Sequence, residues 1–275
     1  MTGRHTPPPH CEERLMDPYH DRFSGIARLL SVQGLERLKA SHVMVIGIGG
    51  VGSWVAESLA RSGVGALTLV DMDDVCITNT NRQIHAIKEA VGTPKVSAMA
   101  KRIRSINPDC ELREVVDFFT TKTAGEILDP PCDYVVDAID GANQKAALIA
   151  ACRERGRVIL TVGGAGGRRD PTQIQVADLN RTLNDSLLKR VRKRLRQKHE
   201  FPRGRARWNI PSVWSAEAPV YPTEDGEVSD DPSRAGSLKL DCASGYGTAS
   251  FVTGAFAFAT TAVVVRHLID DHSQR

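Results

Sequence analysis

The sequence predicts an α/β protein with a Rossmann-like, mainly parallel sheet flanked by helices, and with a C-terminal lobe on the same sheet. Between residues 42 and 164, short apolar runs alternate with helical segments, a pattern typical of right-handed crossovers between parallel strands. The first apolar run ends in a glycine-rich turn, residues 47–52, that opens the next helix. With 275 residues, 41% of them hydrophobic, the chain can bury a full core.

Each element follows from a local pattern. Apolar runs predict five strands, at residues 42–50, 66–71, 111–118, 132–140 and 157–164. Helices are predicted between them at residues 50–63, 95–107, 121–128 and 143–156. Gly63 closes the first helix, and Pro94 opens the second because proline suits the first helical turn. Beyond Pro171 the pattern changes to a strand at 172–179, a basic helix, a segment rich in proline and glycine, and an apolar C-terminal helix.

The net charge of +3 is concentrated in one basic segment. Residues 181–208 contain eleven Lys or Arg against Asp185 and Glu200, a local balance of 11 − 2 = +9 that leaves 3 − 9 = −6 elsewhere. Seven of the ten residues 189–198 are cationic, and Val191 and Leu195 form a thin apolar seam. An acidic body with one basic helix predicts a polyanionic partner, although a solvated helix face is the alternative.

The cysteines and the apolar segments indicate a cytoplasmic location. None of the six cysteines forms a C-x-x-C pair, which argues against a zinc ribbon or a thioredoxin-like motif and is typical of a reducing compartment. The N-terminal residues lack the apolar core of a signal peptide. The uncharged stretch 242–265 contains glycines and hydroxyl residues. We therefore expect a buried helix at about 247–268 without stable membrane insertion, and membrane association through this helix is the alternative.

A glycine motif predicts a nucleotide site. Gly47, Gly49 and Gly52 match G-x-G-x-x-G between a strand and a helix, where glycines let phosphate approach the backbone and the helix N-terminus. Asp71 comes 24 residues after Gly47, at the end of the second strand, where an acid accepts hydrogen bonds from ribose hydroxyls. A tight turn without a ligand is the alternative.

Polar residues beyond the second strand favour a triphosphate. Asn79, Asn81, Arg82 and Lys95 cluster around the connection that leaves this strand, and Asp140 ends the fourth strand. Arg82 and Lys95 could neutralise a polyphosphate, and Asp140 could hold Mg²⁺. Such a set suits attack on an α-phosphate with pyrophosphate leaving. Alternatively, the two cations form a solvated surface pair and Asp140 caps the following helix.

Several ordered motifs carry a family resemblance. The segments GIGGVGS, TNTNRQ, TPK and DAID, together with Asp71, resemble the adenylating domain of the enzymes that activate ubiquitin and the sulfur carriers of molybdopterin and thiamine synthesis. The segments NRQIHA, GGAGG followed by DPTQIQVADL, EAPVYP and DCASGYG are similar to a cyclising branch of that superfamily, the bacterial tRNA threonylcarbamoyladenosine dehydratases. The similarity covers residues 20–268, nearly everything but the N-terminal arm.

The resemblance implies a homodimer that activates a carboxylate with MgATP as an acyl-adenylate. Together with the glycine motif, it implies an ATP site of Gly47, Gly49, Gly50, Gly52, Asp71, Asn79, Asn81, Arg82 and Lys95. The implied catalytic residues are Asp140, which would also bind Mg²⁺, Arg82, Lys95 and Arg22. In this superfamily the arginine matched by Arg22 reaches the triphosphate from the partner subunit, and a plain surface charge is the alternative. We accordingly divide the chain into a flexible arm (1–20), an ATP-binding adenylating domain (21–170) and a C-terminal lobe (171–275).

In the dehydratase branch, the activated carboxylate belongs to the threonyl side chain of a modified adenosine next to the tRNA anticodon. A nitrogen of the same modification closes onto the activated carbonyl and expels AMP, which forms a hydantoin-like ring. Because closure is intramolecular, the protein has only to orient the side chain and exclude water.

A tRNA partner is therefore implied, and the basic helix is the expected contact with its backbone. The candidate residues are Lys189, Arg190, Arg192, Lys193, Arg194, Arg196 and Lys198. Trp208, Trp214 and Tyr221 are candidates for stacking on splayed bases, and core packing is expected for at least one of them.

Three further features stay open. Gly163, Gly164, Gly166 and Gly167 permit close backbone approach, either to substrate or to a monovalent cation (K⁺ or Na⁺), or they form a flexible turn. Cys242 is expected to be a buried small residue rather than a nucleophile. Ser212 stands where relatives of the dehydratase often carry a cysteine, which argues against thioester or sulfur-transfer chemistry there. A cysteine desulfurase or sulfur-acceptor system is a further candidate partner.

Four functional hypotheses follow, led by the ATP-dependent tRNA dehydratase. The second is activation of the C-terminus of a ubiquitin-like sulfur carrier, whose enzymes usually have the paired C-x-x-C zinc ligands that this sequence lacks. The third, an NAD-binding oxidoreductase or sensor, leaves Arg82, Lys95 and Asp140 unexplained. The fourth is a non-catalytic RNA-binding module, whose salt-sensitive tRNA binding would be indifferent to ATP.

Overall fold

One seven-stranded sheet forms the centre of the molecule. The computed structural model describes residues 18–204, 206–234 and 246–270. The strands are β1 (His42–Ile46), β2 (Ala66–Val70), β3 (Glu111–Val115), β4 (Tyr134–Asp137), β5 (Ile159–Val162), β6 (Ile174–Asp178) and β7 (Pro211–Ser215). They lie in the order β3–β2–β1–β4–β5–β7–β6. A separate short ribbon pairs β8 (Tyr221–Pro222) with β9 (Val228–Ser229).

The sheet is parallel except at one edge, where β6 runs antiparallel to β7. The predicted mainly parallel sheet, extended by C-terminal residues, is confirmed. β7 lies within the segment that sequence patterning described only as rich in proline and glycine. Its serines, Ser212 and Ser215, interrupt the apolar pattern, yet both are fully buried in the sheet.

Helices cover both faces of the sheet. Their bounds are α1 (Pro18–Arg22), α2 (Ser24–Leu30), α3 (Val32–Ala40), α4 (Gly52–Arg61), α5 (Lys95–Ile106), α6 (Ala124–Leu128), α7 (Ala142–Glu154), α8 (Ser186–Lys198) and α9 (Ser250–Ile269). One apolar core lies against α4, α5 and α9. The other lies against α6, α7 and the basic helix α8. The helices predicted between the strands are all present.

The N-terminal helices α1 to α3 were not predicted. The Tyr19 hydroxyl donates to the Gly63 carbonyl at 2.5 Å, and Tyr19, Phe23 and Leu35 form a small buried cluster. Residues 18–20, which the sequence assigned to the flexible arm, are therefore helical and packed against the turn that ends α4. α1 and α2 have only five and seven residues, so neither is long enough to show a clear helical period.

The C-terminal helix α9 packs along α4. Val252, Phe256 and Val264 are buried in the core shared with α4, whereas Phe251 and Phe258 are 60% and 53% exposed. Among the described residues, α9 is one helix long and apolar enough to cross a membrane, judged by length and composition alone. Half of its most apolar window is buried inside the protein.

A buried ion pair lies beneath the end of β4. Lys145 Nζ lies 2.9 Å from Asp137 Oδ1, and both side chains are fully buried. Thr161 donates to the other carboxylate oxygen at 2.6 Å, and the Ile139 N–H donates to the first at 3.2 Å. Because each group is paired and hydrogen-bonded, this pair connects the end of β4 to α7 and β5. Removing one partner would leave a buried charge, at a cost of about 3–5 kcal/mol.

Candidate active site

The candidate site lies at the carboxyl ends of the parallel strands. β2 and β3 extend the sheet on one side of β1, whereas β4 and β5 extend it on the other. The strand order therefore reverses between β1 and β4, and ligands of open α/β sheets bind in the crevice at such a reversal. The turns after β1, β2, β4 and β5 all open onto this edge.

The glycine turn after β1 is too tight for side chains. Gly47 has φ +92°, and a Cβ on it would lie 2.8 Å from the Ala138 carbonyl oxygen. A Cβ on Gly52 would lie 1.8 Å from the Gly47 carbonyl oxygen. In contrast, a Cβ on Gly49 would have no atom within 4 Å. Gly47 and Gly52 thus close the turn, and Gly49 faces open space at the N-terminus of α4, where backbone N–H groups can bind an anion.

Asp71 is tied to the glycine turn. Its carboxylate accepts from the Ile48 N–H at 2.6 Å and from the Asp73 N–H at 2.9 Å. Burial raises the pKa of Asp71, and the nearby Lys95 and the two backbone donors oppose that rise. Each carboxylate oxygen has a second lone pair, so the side chain can still accept from a ribose hydroxyl.

Lys95, at the start of α5, lies beside this carboxylate. Its Nζ is 2.6 Å from Asp73 Oδ2 and 3.8 Å from Asp71 Oδ1, and its side chain is 8% exposed. Sequence patterning did not single out Asp73, although it immediately follows Asp71 and Met72. The two aspartates hold the ammonium group at the carboxyl edge of the sheet.

The polar side chains of segment 79–82 differ in burial and in their hydrogen-bond partners. Asn79 is buried, and its side-chain carbonyl accepts from the Cys76 N–H at 3.0 Å, which holds the loop in shape. Asn81 is exposed and donates to the Thr248 carbonyl at 2.8 Å. The Arg82 guanidinium donates to Thr78 O and Asn81 Oδ1 at 2.8 and 3.0 Å.

The Arg82 carbonyl joins three parts of the chain. It accepts from Trp54 Nε1 of α4 at 3.0 Å and from Thr253 Oγ1 of α9 at 3.1 Å. Arg82 also borders the glycine turn, since its side-chain carbons lie 3.6 Å from a Cβ placed on Gly50. The structure therefore places the Arg82 side chain beside the glycine turn after β1.

Asp140 stands at the same edge but beyond the strand. The sequence placed it at the end of the fourth strand, whereas β4 ends at Asp137 and Asp140 lies three residues later. The buried pair of Asp137 with Lys145 lies at the end of the strand. Asp140 is exposed. Within the described residues its carboxylate has no ion pair and accepts no hydrogen bond. It does not cap α7, whose N-cap is Gly141.

Comparison with known proteins identifies the family of this chain. A family model described as the ThiF family matches residues 23–268. The chain belongs to the ThiF family. It is 46% identical over 257 residues to the tRNA threonylcarbamoyladenosine dehydratase of Escherichia coli (strain K12), covering 93% of this chain and 96% of that protein.

Two solved structures are similar to this ThiF-family chain over nearly its whole length. Both are described as E. coli tRNA N6-threonylcarbamoyladenosine dehydratase, TcdA. The complex with ATP has a TM-score of 0.83 at 41% identity and covers 95% of this chain and 99% of that one. The complex with AMP has a TM-score of 0.82 at 42% identity and covers 93% and 97%.

Arg22 does not join the nucleotide site of its own chain. Its Nη1 donates to the Ile106 carbonyl at 3.2 Å, at the C-terminal end of α5. Lys95 begins the same helix, so the two ends are about 16 Å apart at 1.5 Å per residue. Arg22 is therefore placed away from Asp71 and Lys95 within one ThiF-family protomer.

The basic helix α8 contains two kinds of cation. Arg192 donates to Thr182 Oγ1 and Arg196 to Asn180 Oδ1, and Arg196 also lies over the Trp208 ring. These two side chains hold the segment after β6, a structural use that composition alone could not show. The exposed cations of the helix are Lys189, Arg190, Lys193 and Lys198, and Arg194 is half-buried.

The aromatic candidates also divide. Trp214 is 4% exposed and belongs to the core, and Trp208 packs against Phe201 at 4.9 Å between ring centroids. The expectation that at least one of these aromatic residues packs in the core is confirmed. Tyr221 is half-buried beside Tyr246, with ring centroids 5.6 Å apart. Cys242 lies outside the described residues.

His85 is a buried residue to which the sequence analysis assigned no role of its own, although it lies in the NRQIHA segment. It is 3% exposed, and neither ring nitrogen has a hydrogen-bond partner within the described part of the chain. Burial lowers the pKa of His85 to about 4, and repulsion from Lys95 and Arg102 adds to the effect. The imidazole is therefore neutral at neutral pH.

Protonation of His85 should destabilise the fold in acid. As pH falls below the unfolded-state pKa of about 6.5, the unfolded chain takes up the proton first, so stability is lost between about pH 6.5 and 4. His85 alone contributes a slope of at most about 1.4 kcal/mol per pH unit. Urea unfolding across this range should show that slope in the difference between wild type and His85→Phe. Parallel curves for the two proteins would contradict it.

Proposed function

We propose that this protein is an ATP-dependent tRNA threonylcarbamoyladenosine dehydratase. It adenylates the threonyl carboxylate of the modified nucleoside and closes the hydantoin-like ring, with release of pyrophosphate and AMP. The observation that carries the proposal is the convergence of Gly49, Asp71, Arg82, Lys95 and Asp140 on one sheet edge. The 46% identity to the E. coli dehydratase over 93% of the chain supports the substrate assignment.

The residues at this edge suit ATP as a substrate. Gly49 leaves the backbone N–H groups of the turn open to phosphate, and Asp71 can accept from the ribose. Arg82 lies beside Gly50 of the turn and Lys95 lies beside Asp71. The two cations have complementary properties, since Arg has a planar fork and Lys a compact charge. Both cations would bind the departing pyrophosphate, on which negative charge develops in the transition state.

Asp140 is the residue that fits Mg²⁺. No group of three or more His, Cys, Asp or Glu side chains within the described ranges is arranged to hold a metal ion. Mg²⁺ at phosphoryl-transfer sites is typically held by one or two carboxylates together with substrate phosphates. The exposed Asp140 carboxylate meets that requirement, and bound Mg²⁺ would supply charge neutralisation between the phosphates.

The proposed reaction has two steps, adenylation and ring closure. A carboxylate oxygen attacks the α-phosphorus of ATP, and the bond to pyrophosphate breaks. A nitrogen of the same modification then attacks the acyl carbon and loses its proton, and the acyl–oxygen bond breaks as AMP leaves. The oxygen removed from the substrate therefore departs on AMP. Since both reacting groups belong to one side chain, the protein contributes orientation and exclusion of water.

We propose that two copies of the chain form the working enzyme. The outward face of α9 carries an apolar stripe at Phe251, Ala255, Phe258 and Ala262, with helical spacing. Such a stripe suits an interface between identical chains. Arg22, which lies far from its own site, would then reach the triphosphate of the partner.

Substitution at the nucleotide edge should abolish turnover without unfolding the chain. Asp140→Asn and Arg82→Ala should each reduce cyclic nucleoside formation at least 100-fold, because each removes an interaction with developing charge. Mass spectrometry of tRNA nucleosides, prepared under mild conditions, measures the cyclic product, and chromatography of the reaction mixture measures AMP. Asp109→Asn, an exposed carboxylate at the opposite edge, is the matched control. Full AMP formation by either variant would remove that residue from the mechanism.

The proposed function itself is tested in a strain that lacks the gene. An unchanged level of the cyclic nucleoside in the tRNA of that strain would overturn the proposed function.

Subunit complementation should reveal Arg22 acting in trans. Arg22→Ala and Asp140→Asn chains should each be inactive alone. Co-expressed at equal levels, they should recover about a quarter of wild-type activity, because half of the dimers are mixed and one site in each is intact. A mixture as inactive as its parents would show that Arg22 does not act from the partner.

The exposed cations of α8 should set the salt dependence of tRNA binding. A Lys193→Ala/Lys198→Ala double variant should lower the slope of log K against log salt by about two, one for each lost phosphate contact. Filter binding over a salt series measures it. Arg192→Ala is the control, since its side chain binds Thr182 and its loss should reduce stability more than the salt slope. An unchanged slope in the double variant would place the tRNA elsewhere.

A further inference from the structure

A second polar cluster lies at the carboxyl end of β5, outside the nucleotide residues. Its centre is Arg168, which directly follows the glycine-rich turn 163–167. Arg168 is 5% exposed, and its Nη2 donates to the Asn184 carbonyl at 3.0 Å. Its Nε and Nη1 are also buried, yet neither has a hydrogen-bond partner among the residues that the structure describes. A buried charged donor without an acceptor is costly, so these two groups point to a ligand.

The nearby carboxylates are committed to other donors. Asp185 accepts from the Gly164 and Leu188 N–H groups at 2.9 and 2.8 Å. Glu217 accepts from the backbone N–H groups of Arg169 and Asp170 at 2.9 and 3.0 Å. Burial lowers the pKa of Arg168, and Asp185 and Glu217 oppose this without forming an ion pair with it in the described structure. The two carboxylates stabilise the charged guanidinium but accept no hydrogen bond from its Nε or Nη1.

The other walls of the cluster come from the C-terminal lobe. A Cβ on Gly166 or Gly167 would lie 2.7 or 2.8 Å from Tyr246, so the glycines let this ring pack onto the turn. Burial raises the pKa of Tyr246, and Arg168 and Arg190 both oppose the rise. Arg190 belongs to the basic helix α8. Asp185, which accepts from the Gly164 N–H, is the N-cap of this helix, so the cluster adjoins the helix expected to contact RNA.

Strand order places this cluster across Asp140 from the nucleotide. β1, β4 and β5 are neighbours, and adjacent strands lie about 4.8 Å apart, so the end of β5 is about 10 Å from the glycine turn. A group bound there would approach Asp140 from the side opposite Asp71. An oxyanion suits the site, because it supplies several acceptors and a charge opposite to that of the guanidinium.

We infer that Arg168 binds an oxyanion of the RNA substrate, through its free Nε and Nη1 donors. This inference rests on the proposed function. The oxyanion is either the threonyl carboxylate of the modification or a phosphate of the neighbouring backbone. Arg168 is therefore a substrate-binding residue that positions the modified nucleoside beside Asp140.

Binding of two RNAs without ATP tests the inference and separates the two sources. The first is a tRNA carrying threonylcarbamoyladenosine, and the second is the same tRNA transcribed without the modification. Arg168→Gln should weaken binding of the modified tRNA about tenfold or more, the loss expected for a hydrogen bond between charged groups. If the carboxylate is the ligand, binding of the unmodified tRNA should be unchanged. If a phosphate is the ligand, both RNAs should be weakened alike.

Arg169→Gln is the matched control, because Arg169 is the next residue in the sequence but its side chain is 67% exposed. Its Nη2 lies 3.9 Å from Asp230 Oδ1 at the surface. Arg168→Lys keeps the charge but not the fork, so it should restore only part of the affinity. Retained ATP binding shows that each variant is folded. Wild-type affinity of folded Arg168→Gln and Arg168→Lys for both RNAs would overturn the inference. Failure of the wild-type enzyme to convert the modified tRNA would instead overturn the proposed function.

Discussion

The close contact between Gly47 and Gly52 is the constraint on which the site depends. The two residues are so near that a Cβ on Gly52 would lie 1.8 Å from the Gly47 oxygen, and α4 therefore starts directly above the end of β1. Asp71 is held to the same turn through the Ile48 N–H. α9 packs on α4, and Thr253 binds the Arg82 carbonyl, so the C-terminal lobe is also positioned by this turn.

The residues along this edge of the sheet form two groups, one on each side of β4. The β1–β2 side carries the acid and the cations suited to ATP, and Lys95 is held there by Asp73 and Asp71. The β5 side carries Arg168 and is bordered by the basic helix, which suits RNA. Asp140 lies between them, above the buried pair of Asp137 and Lys145. We propose that this order brings a substrate carboxylate and an α-phosphate together at β4.

Local signals predicted the central β/α units and the residues at the nucleotide edge, because buried strands, glycine turns and helix caps leave marks within a few residues. Contacts between distant residues left no such mark. Tyr19 is buried because it binds Gly63, 44 residues later, and β7 is a strand because it pairs with β5 and β6. For the same reason, the basic pattern of α8 could not show that Arg192 and Arg196 bind Thr182 and Asn180.

If ATP activates the substrate carboxylate through its α-phosphate, one carboxylate oxygen is transferred to AMP, and isotope labelling can follow that oxygen. A tRNA whose threonyl carboxylate is labelled with ¹⁸O should be converted with unlabelled ATP, and the nucleotide products analysed by mass spectrometry. We expect one ¹⁸O in AMP, because the oxygen removed on ring closure leaves with the adenylate, and none in pyrophosphate. Label in inorganic phosphate with ADP as the other product, or unlabelled AMP, would contradict it.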